Sequence, residues 1–320
     1  MRPEPDFHGF YGQRQIVNQL LYELKGAKQL GEACPDIGLM GGSGLGKTHL
    51  ARALASEFGT QLHYVFSGRG MNPAKLAEMA PEWQPKDFVF FDEAHALDPT
   101  VQEATYRLME KEPVAPRLVT GTRGRPVVDG TRSVARVTVV IATDRPAGLR
   151  RALTKRLGVT VTLTPYSERE MVYIIRARAA ALGMVLSMQA PGIIAKACQG
   201  IPRNAGHRLE SLRRFCAGVS PSQYGKKEVM ACLRASGVDR FFRTPEQQDY
   251  MHRLRTMRNG RGIALKTVSG FMHLEPRHVE SEIEPALFER GWVQITGTGR
   301  SLTAEGLRIV TEMESEASDV

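Results

Sequence analysis

The stretch IGLMGGSGLGKTHLARALASEF, residues 37–58, constrains the fold of this chain more than any other. An apolar run of four ends in glycine, and a helical pattern opens after the last glycine, so the order is strand, loop, helix. GGSGLGKT at 41–48 fits GxxxxGK[ST]. That spacing has a mechanical reason. Glycines let the backbone wrap an anion with its N–H groups, and the following helix turns its positive end toward the same anion. Gly41, Gly42, Ser43, Gly44, Leu45, Gly46, Lys47, Thr48 and the adjoining His49 therefore form a candidate nucleotide cradle. Lys47 is expected on the β- and γ-phosphates of ATP, and the Thr48 hydroxyl on Mg²⁺. Average residue usage matches this pattern by chance on the order of once in a hundred chains of this length.

A cradle that hydrolyses its nucleotide also needs a metal anchor and a group to orient water. DFVFFDEAH, residues 87–95, supplies both: Asp92 ends a buried-type strand as a metal anchor, and Glu93 beside it can deprotonate the attacking water. An isolated Asp-Glu pair reads better as surface charge, but its place after such a strand reverses that preference. Further strands are expected at TQLHYVF (60–66) and VTVVIAT (137–143). Continuous apolar strands alternating with helices imply a parallel sheet covered on both faces. Three more positions carry paired readings. Thr143 is a γ-phosphate contact or a strand-end turn residue; Arg156 is an arginine finger or a helix cap; Arg203 is a nucleotide sensor or a solvated helix residue.

With 320 residues, 42% of them hydrophobic, the chain can bury two or three cores. No apolar run reaches the roughly 18 residues of a membrane span, and the N-terminus lacks a signal pattern, so a cytoplasmic location is expected. Cys34, Cys198, Cys216 and Cys232 form no CxxC pair, which implies reduced, buried thiols. The formal charge of +9 favours a polyanionic partner, nucleic acid first. The charge is uneven. From Arg117 to Arg156 ten basic residues face two acids, and from Arg240 to Lys266 seven face two. The last residues, with Glu312, Glu314, Glu316 and Asp319, read as a solvated, disordered acidic tail.

Past residue 165 short helical patterns separated by Gly and Pro suggest a small helical domain. From about 239 the pattern becomes a helix at 245–257, a shorter one near 263–271, a third through EPRHVESEIEPALFERG, and two alternating runs in ERGWVQITGTGRSLT. Three helices and a two-stranded ribbon are the layout of a winged helix. The expected boundaries are 1–165, 166–238 and 239–308, with the tail at 309–320 and a protruding hairpin near 112–138.

The motif order resembles the RuvB family of Holliday-junction branch-migration motors, within the AAA+ ATPases. The matching residues are FYGQ at 10–13, GSGLGKT at 42–48, FDEAH at 91–95, ATDR at 142–145, LTKRLG at 153–158, GIPRNAGHRL at 200–209 and EIEPALFERGWVQITGTGR at 282–300. The resemblance implies an α/β fold: an AAA+ P-loop parallel-sheet domain, a small helical lid domain and a C-terminal winged helix. It implies ATP and Mg²⁺ as cofactors, Lys47 and Thr48 on phosphate and metal, Asp92 and Glu93 on metal and water, and Thr143 as first sensor. Arg156 matches the finger donated to a neighbouring subunit and Arg203 the second sensor, while the backbone of Tyr11 and Gly12 lies by the adenine. It also implies a hexameric ring on double-stranded or junction DNA, whose heterologous interfaces give each site its neighbour's finger.

The chain departs from the family at three places. The phosphate loop has Gly42 and Ser43 where the family usually has two prolines, which implies a looser loop. Residues 112–136 match the hairpin that docks with RuvA, but they are longer and more basic, keeping Leu118 and Val119 as an apolar tip. Arg123 and Arg125 there could touch DNA or face solvent. The wing turn, usually RTPRGR, is ITGTGR, leaving Thr296, Thr298 and the single charge of Arg300 as expected phosphate contacts. The preferred expectation is an ATP-hydrolysing, ring-forming DNA motor in recombination. The alternative is a nucleotide-switched DNA-binding platform that recruits a transposase, nuclease or other partner without translocating.

Overall fold

The computed structural model describes residues 7–67, 70–120, 126–218, 223–257 and 262–318, with side chains up to residue 312. The chain divides into two compact units, Met1–Tyr173 with Ile201–Arg203, and Ile174–Gly200 with Asn204–Val320.

In the first unit five parallel strands, β1 (Ile37–Met40), β2 (Leu62–Phe66), β3 (Phe88–Asp92), β6 (Thr138–Thr143) and β7 (Val159–Thr162), pair in the order β2-β3-β6-β1-β7. The uninterrupted apolar character of β1, β3 and β6 has a direct cause: both faces are covered. Val89 and Phe91 join one core with Leu76, Trp83, Val101, Leu108, Val139 and Ile141. The alternate Phe88 and Phe90 pack on the other face, against Phe58 and Tyr64. β7 escapes the sequence reading because it is four residues long and alternates as a half-buried edge, Val159 and Val161 inward.

The helices of this unit are α1 (Arg14–Leu30), α2 (Lys47–Phe58), α3 (Pro73–Met79), α4 (Pro99–Leu108) and the short α5 (Arg151–Thr154). An antiparallel hairpin, β4 (Val114–Thr120) with β5 (Pro126–Ser133), packs beside α3 and α4. In it Leu118 pairs with Val128 and Val119 with Val127, and both partner valines are 44% exposed. Among the described residues Val127 and Val128 thus join Leu118 and Val119, the apolar pair expected from the sequence. Arg123 and Arg125 lie outside the described residues.

The second unit begins within α6 (Glu168–Ala181) and continues through α7 (Ala190–Cys198), α8 (Pro202–Phe215) and α9 (Lys226–Ala235). The winged helix follows. It contains α10 (Pro245–Thr256), α11 (Leu265–Phe271), then α12 (Pro276–His278), a π-helical turn (Val279–Ile283) and α13 (Glu284–Glu289) in succession, and the ribbon β8 (Val293–Thr296) with β9 (Gly299–Leu302). Tyr250, Leu254, Val268, Val279, Ile283, Leu287 and Val293 form its core. Trp292 packs at the base of the ribbon, edge-on to Phe241. Two glutamine amides join the helical and winged halves. Gln199 and Gln247 each donate to the other, at 2.9 and 2.8 Å.

The expected disordered tail is corrected. Helix α14 spans Ala304–Ser318, and Ile309 and Val310 are buried in the winged-helix core. Two apolar side chains just before the acids anchor a helix that net charge alone would have left in solvent.

Candidate active site

Parallel pairing brings strand ends together. Met40 is opposite Thr143 and Thr162, and Asp92 is opposite Phe66, so the residues that follow β1, β3 and β6 emerge along one edge. β1 leads to β2 past two intervening strands, and such a reversal of strand order is where open α/β sheets bind ligands. The glycine loop occupies that place and runs into α2, whose first N–H groups and dipole favour an anion. Gly44 is in a left-handed conformation, φ 76°, and a Cβ on it would lie 2.8 Å from Ile201 and 2.9 Å from Arg203. Only glycine satisfies both demands.

Lys47 Nζ donates to the carbonyls of Gly41 and Gly42 at 2.7 and 2.9 Å. Burial lowers its pKa from the ordinary lysine value, while Asp144, Asp92 and Glu93 oppose the shift. The Thr48 hydroxyl donates to Asp92 Oδ2 at 3.3 Å, and the other Asp92 oxygen accepts the Glu93 N–H at 3.0 Å. A hydroxyl facing a carboxylate suits Mg²⁺, which takes few protein oxygens and keeps several waters. Among the described residues no three His, Cys, Asp or Glu groups cluster as a metal site. Glu93 has φ 49° and is exposed. A left-handed non-glycine residue is uncommon, and here it turns the chain sharply after Asp92.

Arg203 reaches the loop. Its Nη1 donates to Ser43 Oγ at 2.9 Å and its backbone N–H to Gly44 O at 3.2 Å. The loop without prolines is thus tied at two points, a tether the sequence reading of a looser loop missed. Ser43 and Arg203 are 160 residues apart, so only the fold pairs them.

Thr143 has the geometry of the strand-end turn residue, one of its two readings. Its side chain is fully buried, and its hydroxyl accepts the Arg145 N–H and meets His95 Nδ1, both at 2.9 Å. The next residue, Asp144, is the charge acting most strongly on Lys47, and its Oδ1 lies 3.2 Å from His95 Nδ1. His49 turns aside, stacking on Phe10 and bonding Gly9 O at 2.9 Å.

Tyr11 and Gly12 lie just before α1. A Cβ on Gly12, φ 77°, would meet Glu170 at 2.7 Å and the Tyr166 ring at 2.9 Å. Tyr166, which the sequence reading did not single out, donates its hydroxyl to Leu45 O at 3.1 Å. Gln13 N–H bonds Glu170 at 3.0 Å, closing this side of the cradle. Arg156 has its partners elsewhere: Glu110 at 3.1 Å, Ala152 O at 3.0 Å and the Tyr106 ring. None belongs to its own phosphate loop.

The wing needs a correction. Arg300 does not offer its charge to solvent: its side chain is 15% exposed, and Nε bonds Glu284, itself 1% exposed, at 3.0 Å. Tyr250 hydroxyl donates to the same carboxylate at 2.5 Å. Burial opposes protonation of Arg300, but the Glu284 hydrogen bond and charge outweigh it and raise its pKa. A buried carboxylate on α13 requires a cation, and Arg300 is consumed by that need. Thr296 and Thr298 remain exposed at the turn, their hydroxyls 3.1 Å apart. The wing tip is therefore neutral.

The model of the Holliday junction DNA helicase RuvB P-loop domain matches residues 1–163, and that of the RuvB C-terminal winged helix domain residues 244–311. The Holliday junction branch migration complex subunit RuvB of Granulibacter bethesdensis is 30% identical over 300 residues, 93% of this chain and 82% of that protein. The subunit of the same name from Rubrobacter xylanophilus is 30% identical over 92% of this chain and 82% of its own length. In fold, a Thermotoga maritima RuvB mutant superposes with a TM-score of 0.84 at 24% identity, covering 97% of this chain and 99% of that one. A phosphate loop, an acid-tipped β3 and a winged helix, matched by both domain models over more than half the length, make this chain a member of the RuvB family.

Proposed function

We propose that this protein is an ATP-hydrolysing DNA motor that drives branch migration of Holliday junctions, working as a closed, six-membered ring of identical subunits on duplex DNA. The observation that carries the reading is the convergence of Lys47, the Thr48–Asp92 pair and Arg203 on one glycine loop in a RuvB-family chain. The loop N–H groups and Lys47 bind the phosphates. Thr48 and Asp92 would hold Mg²⁺, which would supply charge neutralisation to the transferring phosphoryl group. Glu93 orients the attacking water and takes its proton. Arg156 serves the neighbouring subunit's site, consistent with its lack of contacts to its own loop.

Arg203 senses the nucleotide through Ser43 and begins the helix whose remainder belongs to the second unit. From there the Gln199–Gln247 pair carries displacement into α10 of the winged helix. A junction-binding partner resembling RuvA seats on the hairpin through Leu118, Val119, Val127 and Val128. No helix of the described residues is long and apolar enough to cross a membrane, and we place the protein in the cytoplasm. The deciding experiment is branch migration of a synthetic four-way junction with ATP and Mg²⁺, comparing wild type with Lys47→Ala. Loss of both hydrolysis and migration supports the motor.

One observation favours a second reading. With Arg300 paired to the buried Glu284, the wing has no free charged phosphate contact, which suits an assembly platform that binds DNA and switches with nucleotide without translocating. Nucleotide-dependent DNA binding with no junction movement, with or without a RuvA, would select it.

A further inference from the structure

Arg156 is held in a bracket. Its guanidinium carbon stands 4.6 Å from the centroid of the Tyr106 ring. Nη2 reaches Glu110 at 3.1 Å, and Nη1 donates to Ala152 O at 3.0 Å. Tyr106 stands in the last turn of α4 and Glu110 two residues past its end, and both reach the same guanidinium. The contacts are half-open: Arg156 is 37% and Glu110 47% exposed. Stacking and ion pairing at such exposure are individually weak, so they orient the arginine without trapping it. Three of its five N–H donors stay unspent by Ala152 and Glu110.

The bracket is anchored. Gln102, 3% exposed, donates to Leu97 O at 3.2 Å and Gly148 O at 3.4 Å and accepts the Arg150 N–H at 2.9 Å. Leu97 follows the turn after Asp92 and Glu93, and Arg150 is the N-cap of α5. One buried amide thus fixes α4, the start of α5 and the segment after the metal-anchoring strand to one another.

We infer that Tyr106 and Glu110 are positioning residues that pre-orient Arg156 for the γ-phosphate in the neighbouring subunit's site. The inference rests on the reading of Arg156 as a finger donated in trans, and it adds the groups that keep the finger oriented and ready. A long, rotamer-rich side chain otherwise loses its freedom at each encounter, and pre-orientation removes that loss from the reaction. On contact, the phosphate oxygens replace the Glu110 carboxylate as partners of the guanidinium.

Mixed rings test it, because they separate finger donor from site host. Lys47→Ala subunits have a silent site and an intact finger; Arg156→Ala subunits have the reverse. Co-assembled, they should recover ATP hydrolysis that neither shows alone. Adding Tyr106→Leu or Glu110→Gln to the Lys47→Ala donor should lower recovered kcat three- to tenfold with KM for ATP unchanged, while Tyr106→Phe, which keeps the ring, retains recovery. The same substitutions in the Arg156→Ala host, which has no finger to hold, should cause no comparable loss. Equal loss in donor and host, or no loss in the donor, would overturn the bracket. No recovery in the parent mixture would instead overturn the finger reading beneath it.

Discussion

Replacing Arg300 by alanine should damage the winged helix rather than its grip on DNA. Glu284 is 1% exposed and has two partners, Arg300 at 3.0 Å and Tyr250 at 2.5 Å. Breaking a buried ion pair from one side costs about 3–5 kcal/mol, because the remaining charge is left uncompensated. Tyr250 still bonds the carboxylate, and the 15% exposure of Arg300 admits some solvent, so about 2–4 kcal/mol is expected. A transition of a domain this size moves roughly 4–8 °C per kcal/mol, which puts the loss of Tm at about 8–32 °C. Scanning calorimetry of the full chain should show it as an early transition. Glu284→Gln in the same chain should restore part of the loss, since a neutral amide can accept from Tyr250 without a cation. DNA affinity below that transition should keep its salt dependence, whereas a true phosphate contact would flatten the log–log slope by about 0.9. An unchanged Tm together with that flatter slope would refute the buried-pair account and return Arg300 to the DNA surface.

Other expectations follow from the same geometry. Gly44→Val adds a Cβ within 3 Å of Ile201 and Arg203 at a left-handed position, so nucleotide binding, measured with a fluorescent ATP analogue, should weaken by more than tenfold on the order of a 1–2 kcal/mol backbone cost plus the clash. Arg203→Ala removes the Ser43 tether and the sensor charge together; hydrolysis should fall while junction binding without nucleotide persists, as a filter-binding assay would show. Gln247→Leu breaks the paired amides to Gln199 and should leave hydrolysis largely intact while slowing junction migration, so an equal fall in both rates would count against this link. Burial raises the Cys34 and Cys198 thiols to about 12, so at pH 8 only about one in ten thousand is thiolate, and a disulfide reagent should modify them only after denaturant is added.

How legible each feature was depended on how far apart its parts lie in sequence. The phosphate loop was readable because its backbone donors, Lys47 and Thr48 fall within eight consecutive residues whose spacing is itself the mechanism. Asp92 and Glu93 were readable from the uninterrupted apolar strand before them, a signature of burial on both faces. Arg300 was misread because its partner, Glu284, stands on another element, and a lone arginine in a turn looks solvated until the fold puts a buried carboxylate beneath it. Thr143 was legible as a strand-end turn residue, one of its two readings, whereas nothing local showed that Asp144 after it would act electrostatically on Lys47. The tail was misjudged because four acids outweighed two apolar residues in composition, while in packing Ile309 and Val310 decide.

By itself, then, the sequence determined the chemistry that local spacing encodes: a phosphate cradle, an acid pair after a buried strand, a parallel sheet and a winged helix. Tertiary structure decided which charges remain available to partners. It tied Arg203 to Ser43, spent Arg300 on Glu284, set Arg156 over Tyr106 and paired Gln199 with Gln247. The reason is that a buried or bracketed charge is defined by neighbours brought from distant segments, and residue type alone carries no record of them.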